Sequence, residues 1–211
     1  MSRPLGFAKA PAWSLFVCAL AWLAVALPAL GRGTPPAAAV ASAHPLATKA
    51  GFATLAAGGN AFDAAIAVAA ALAVVEPYSS GLGGGGFWLL QRGRDAHPVM
   101  LDGRERAPLA ARRDMYLDPA GAPVPRLSVD GPLAAGIPGV PAALAHLAEH
   151  YGRLALAQTL EPAIALARDG FALDAVYGDM ARFRLDALRR SPAAAAQFLQ
   201  AGNVPPEGTL L

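Results

Sequence analysis

Apolar and polar positions along this chain follow two different spacings, and each spacing predicts its own kind of element. Leu46 to Ala57 repeats at helical intervals and meets a glycine stop at Gly58-Gly59. Asn60 then offers an N-cap with Asp63 three residues on, and Ala61 to Val75 is apolar on every face until Glu76-Pro77 ends it. A helix that is apolar all round belongs in a core. It falls short of the roughly 20 residues a bilayer demands, and Asp63 and Glu76 would sit badly in lipid. Beyond the glycines at Gly81 to Gly86 the spacing shortens: Phe87 to Gln91 and Val99 to Asp102 are bulky runs separated by turn residues, which predicts an antiparallel hairpin. Pro108 to Gly136 has no period, and Asp118-Pro119-Ala120-Gly121 marks a tight turn within it. Helical spacing returns over Pro141 to Tyr151, Ala155 to Arg168 and Leu173 to Arg190. One more helix is predicted from the Ser191 cap and Pro192 to about Gln200. Asn203 to Leu211 predicts no terminal element, and no segment repeats another.

The first residues read differently. Arg3 and Lys9 precede an uncharged apolar run from Trp13 to Leu30, and Ala29-Leu30-Gly31 has the small-x-small form of a cleavage site. Residues 1–31 are therefore expected to be a signal peptide, residues 32–43 a flexible Pro- and Ala-rich leader, and residues 44–211 the folded part. A retained membrane anchor is the alternative; Pro28 and Gly31 break the run where a cleaved signal should end. On this reading the mature protein is periplasmic or secreted and meets membrane only through its signal. Cys18 is the only cysteine and lies in that segment, so disulfides, thiol nucleophiles and thiolate metal sites are excluded from the mature chain.

Composition sharpens the picture in two places. The apolar share of 55% leans on alanine, so helices must pack by close backbone approach rather than through large side chains. Lys plus Arg outnumber Asp plus Glu by 17 to 15, and the arginines form no stripe, which argues against nucleic-acid binding.

Several motifs invite a chemical reading. Gly81-x-Gly83-x-x-Gly86 spells the dinucleotide fingerprint, but a helix precedes it and a strand follows, the reverse of the order that aims a helix N-terminus at a pyrophosphate. A loop of close backbone approach fits better. His146-x-x-Glu149-His150 spells an inverted zinc-protease pattern with both histidines on one helical face, yet no third ligand is obviously placed, and a solvated face is the simpler reading. Ser79-Ser80-Gly81 lacks a nucleophile elbow and reads as turn hydroxyls. Asp102-Gly103-Arg104-Glu105 closes the hairpin and sets an arginine among acids. Two readings stand: the guanidinium grips a substrate carboxylate through paired hydrogen bonds, or an adjacent acid holds it in a structural ion pair.

Taken in order, His44-Pro45-Leu46-Ala47, Gly58-Gly59-Asn60-Ala61, Val74-Val75-Glu76-Pro77, Gly83-Gly84-Gly85-Gly86-Phe87, Asp102-Gly103-Arg104-Glu105, Asp114-Met115-Tyr116-Leu117-Asp118, Pro138-Gly139, Tyr151-Gly152 and Glu161-Pro162-Ala163-Ile164 resemble the N-terminal part of the large subunit of γ-glutamyltransferases. The resemblance implies an α/β (α+β) fold, the αββα sandwich of N-terminal-nucleophile hydrolases, here incomplete because the C-terminal half and the small subunit are absent. It implies a precursor that cleaves itself into two subunits. It also implies transfer or hydrolysis of the γ-glutamyl group of glutathione or another γ-glutamyl donor to an amino acid, a peptide or water. The nucleophile would be a threonine at the small-subunit N-terminus, outside this chain, so no catalytic residue, cofactor or metal is expected here. Arg104 matches the family arginine that binds the donor α-carboxylate. Arg106 stands where threonine is usual, and Val140-Pro141 replaces small polar residues. A β-lactam side-chain acylase of the same fold and a non-catalytic remnant are the alternative functions.

Overall fold

The structure, a computed structural model, describes residues 37–93 and 96–211; the signal reading of residues 1–31, Cys18 included, lies outside them. Helix α1, Pro45–Ala56, starts on His44, whose Nδ1 accepts the Leu46 N–H at 3.1 Å. Packing begins ahead of it: residues 40–211 form one compact unit, and Ser42 Oγ lies 2.7 Å from Thr48 Oγ1.

Helix α2, Ala61–Val75, opens with the expected capping box. Asn60 Oδ1 accepts from the Phe62 and Asp63 N–H groups, and Asp63 Oδ2 accepts the Asn60 N–H at 2.8 Å. Asp63 does more than cap. It is 0% exposed and also accepts the backbone N–H groups of Arg153, at 3.0 and 3.1 Å, and Leu154, at 3.3 Å. Asn60 Nδ2 donates to the Tyr151 carbonyl at 2.7 Å. The first turn of α2 is thereby tied to a loop ninety residues later in the chain.

Strands β1, Gly86–Gln91, and β2, Pro98–Gly103, pair antiparallel from Gly86↔Gly103 to Gln91↔Pro98. Their pleat sends Trp88, Leu90, Val99 and Leu101 to one face and Phe87, Leu89, Met100 and Asp102 to the other. Helix α3, Val140–His150, covers the first face together with α2: Ile66 and Leu147, both 0% exposed, pack with Leu90, Val140 and Leu144. Phe87, Leu89 and Met100 stay exposed. The result is one helical layer against one face of a hairpin.

Helix α4, Leu156–Asp169, joins α1 and α2 in an interface built on Ala47, Ala50, Ala67, Ala70, Ala71 and Ala163, the close approach the composition predicts. The tail from Asn203 is less loose than its sequence suggests. Leu211 and Phe171 exchange backbone hydrogen bonds, and Leu173 donates to the Thr209 carbonyl at 2.9 Å.

The predicted helix over Leu173–Arg190 is two helices, α5 at Ala175–Phe183 and α6 at Leu185–Arg190, followed by α7 at Pro192–Phe198. Asp174 caps α5 by accepting the Tyr177 N–H, which sets its start. Arg184 and Arg190 both reach Asp130, at 2.7 and 3.1 Å, and on a continuous helix side chains six apart would stand about 120° from each other. Arg126 supplies a third donor at 2.8 Å, so Asp130 ties the irregular stretch to α5 and α6.

Hydrogen bonds from Arg184 and then Arg126 hold the Asp130 carboxyl below the ordinary aspartate range. Because its folded value is depressed, its stabilisation is present above the unfolded value and is lost only as pH falls through the lower folded one. Proteolytic nicking of residues 108–136 should therefore stay at its neutral-pH rate through mildly acidic buffers. Asp130→Asn should be nicked faster already at neutral pH. Equal nicking of the two proteins at neutral pH would show that the tie does not hold the loop.

Candidate functional site

Three backbone segments meet at the open end of the hairpin, opposite the turn that joins Gln91 to Pro98. Gly84 accepts hydrogen bonds from the N–H groups of Gly139, at 3.1 Å, and Val140, at 3.2 Å, which fastens the start of α3 to the glycine loop. A Cβ on Gly139 would strike the Gly103 carbonyl oxygen, and one on Gly85 would fall 2.5 Å from Glu105 Oε2 and 2.8 Å from Arg104 Cα. Residues without Cβ are required there because backbone already fills the space. The close approach expected for the whole run is realised at Gly85 rather than Gly83, around which a Cβ would find open space.

Between these segments the chain 103–106 carries the charged residues. Asp102 Oδ1 accepts the backbone N–H of Arg104 at 2.9 Å, so this acid fixes the main chain and not the guanidinium. Glu105 takes the side chain: its Oε2 accepts from Arg104 Nε at 3.1 Å. Its own backbone N–H, then the Arg104 hydrogen bond, holds the Glu105 carboxyl below the ordinary glutamate range, with the Gly85 N–H contributing. Glu105 thus stays anionic and keeps one edge of the guanidinium engaged. The Arg104 side chain is 60% exposed, its Cζ stands 5.6 Å from the Phe87 ring centroid, and no other partner holds it among the described residues. Of the two readings left open by the sequence, the ion pair is present at Nε, and the terminal nitrogens have no hydrogen-bond partner among the described residues.

A hollow of about 610 Å³ lies beside this end, bounded by Leu72, Tyr78, Ser79, the glycine loop and Glu105. A second, of about 630 Å³, lies between Tyr78, Asp130, Met180, Phe183 and Arg184. Arg104 lines neither.

The remaining motifs resolve as structure. A helix precedes Gly81 to Gly86 and a strand follows, so the strand–loop–helix order of the dinucleotide fingerprint is absent. Ser79 Oγ donates to Glu76 Oε2 at 2.8 Å as a turn hydroxyl. His146 and His150 stack with ring centroids 4.1 Å apart, and His150 Nδ1 lies 3.0 Å from the His146 carbonyl oxygen. Among the described residues no three His, Cys, Asp or Glu side chains group as a metal site, and no helix is long and apolar enough to cross a membrane. Sequence reading missed Phe87 beneath the guanidinium; the register Phe87↔Asp102 is the signal that would have placed it.

A sequence model of the gamma-glutamyltranspeptidase family matches residues 47–211. The glutathione hydrolase proenzyme of Bacillus subtilis strain 168 is 40% identical over 173 residues, which cover 82% of this chain and 29% of that protein. The solved gamma-glutamyltranspeptidase of Helicobacter pylori superposes with a TM-score of 0.81 at 37% identity, covering 84% of this chain and 51% of that one. A cephalosporin acylase from Bacillus halodurans superposes with a TM-score of 0.67 at 29% identity, covering 85% and 36%. The chain thus spans about three tenths of the length of the first of these relatives.

Proposed function

The chain belongs to the gamma-glutamyltranspeptidase family, and from that premise we propose that it supplies the donor-carboxylate side of an enzyme that transfers or hydrolyses γ-glutamyl groups. Its α+β architecture is an incomplete N-terminal-nucleophile hydrolase fold. The donor is glutathione or a related γ-glutamyl compound, and the acceptor is an amino acid, a peptide or water.

The observation that carries this reading is the Arg104 guanidinium, tied at Nε by Glu105 and open at its other edge. The donor α-carboxylate binds that open edge, which leaves the γ-carbonyl extended toward the rest of the protein. There a threonine belonging to a small subunit of the same precursor attacks through its hydroxyl, its own amine taking the proton. The C–N bond of the donor breaks, the departing amine leaves with a proton, and a γ-glutamyl-threonine ester remains for water or a second amine to open. Residues 1–31 serve as an export signal and residues 32–43 as a leader, which places the enzyme in the periplasm or outside the cell; residues 44–211 are part of the large subunit.

The likeness to a cephalosporin acylase supports a second reading, release of an acyl side chain from a β-lactam compound. Full-length protein given glutathione and a side-chain-bearing cephalosporin in parallel separates the two. The expected result is self-cleavage into two subunits and release of glutamate from glutathione. Cleavage of the cephalosporin with glutathione left intact would overturn the first reading in favour of the second.

A further inference from the structure

Arg104 is not the only cation at its end of the hairpin. Within β2, Leu101 and Gly103 turn toward the helices and Met100 and Asp102 away from them; just past the strand end Arg104 is exposed. Glu105 keeps to the inner side, its carboxylate against Gly84 and Gly85 and its Cβ against Gly136. Arg106, two residues beyond Arg104, is exposed as well. Its backbone is rigidly held, since Arg106 and Ile137 exchange both hydrogen bonds, at 3.0 and 2.8 Å. No hydrogen bond or ion pair engages the Arg106 side chain among the described residues, whereas Arg104 is balanced by Glu105. Side chains two residues apart on an extended strand rise from points about 6.6 Å from each other, and a long flexible stem lets their heads stand farther apart still.

We propose that Arg106 is a specificity-determining residue that binds a second carboxylate, on the leaving-group portion of the γ-glutamyl donor, and so selects acidic γ-glutamyl peptides over donors with neutral leaving groups. The proposal rests on the reading of Arg104 as the α-carboxylate anchor: one cation holds the end common to every donor, and the other tests what is attached. Asp102 forms no ion pair with Arg106 among the described residues, and its Oδ1 accepts the Arg104 backbone N–H. Arg106 thus offers a guanidinium without an ion pair beside the anchor, and a dianionic donor is the ligand that engages both arginines.

The test uses processed full-length enzyme and three donors: glutathione, glutathione amidated at its glycine carboxyl, and a γ-glutamyl anilide. Arg106→Gln should raise the KM for glutathione about fivefold, the size of a solvent-exposed charge contact, with kcat unchanged. The KM values for the amide and the anilide should shift less than twofold, and Arg106→Lys should restore most of the glutathione affinity. Added salt should raise the glutathione KM of the wild type more steeply than that of the glutamine variant. Equal movement of all three KM values, no movement of any, or failure of Arg106→Gln to mature into two subunits would overturn the proposal. Failure of the underlying reading has its own signature, an Arg104→Ala enzyme with unchanged KM for every donor.

Discussion

Replacing Asp63 with alanine should lower the unfolding free energy by about 3–5 kcal/mol, the cost of stranding several backbone donors that a buried carboxylate now satisfies. The count of donors sets that size. Asn60, Arg153 and Leu154 all give their N–H groups to this one side chain, which is wholly withdrawn from solvent. Gly152 backs onto Asp63 Oδ1 so closely that a Cβ there would stand 2.7 Å away, so backbone closes over the carboxylate. For a protein of this size the loss corresponds to a drop in Tm of roughly 10 °C. Asp63→Asn should recover only part of it, because the amide keeps one acceptor but turns an NH2 group toward groups that are themselves donors. Thermal and urea unfolding of the full-length protein read the effect. A change below about 1 kcal/mol for the alanine variant would show that these N–H groups find other partners.

Replacing Arg104 with alanine should raise the KM for γ-glutamyl donors about 30-fold, which is the loss of a charge-assisted pair worth ~2 kcal/mol. The fold should not suffer. The side chain is largely exposed and its one ion pair, with Glu105, lies at the surface, so unfolding midpoints of variant and wild type should coincide. Arg104→Lys should recover a fraction of the binding, since an ammonium keeps the charge but cannot offer two parallel N–H groups while a third is engaged by Glu105. An unchanged KM for the alanine variant would remove Arg104 from the donor site.

How much of this was legible in the sequence depended on the range of the interaction responsible. The Asn60–Asp63 capping box involves neighbours, and reading it off four consecutive residues placed the start of α2 correctly. The hairpin was equally readable, because a period of two and a run of turn residues fix both strands locally. The division of the helix at Arg184 was not, since the partner that Arg184 and Arg190 share is Asp130, 54 residues from Arg184 in a stretch with no periodicity at all. Asp63 shows both cases in one side chain: its cap was evident, and its hold on Arg153 and Leu154 was not. At the candidate site, local physics left Arg104 divided between two roles. The ordered resemblance of the segments around it pointed to a substrate role, and the structure found Nε committed and the outer edge free.

The alanine-lined contact among α1, α2 and α4 has a consequence for how such a protein can change over generations. Gly51 already sits where a methyl group would lie 2.8 Å from Val40 and Val68, so these helices have no slack between them. An enlarged side chain at Ala47, Ala67 or Ala71 would act as a wedge, and drift in this layer is confined to exchanges that shrink one partner as the other grows. Lineages should therefore diverge first in the irregular stretch and on outward helix faces, leaving a nearly invariant seam of small residues as the oldest legible mark in the chain.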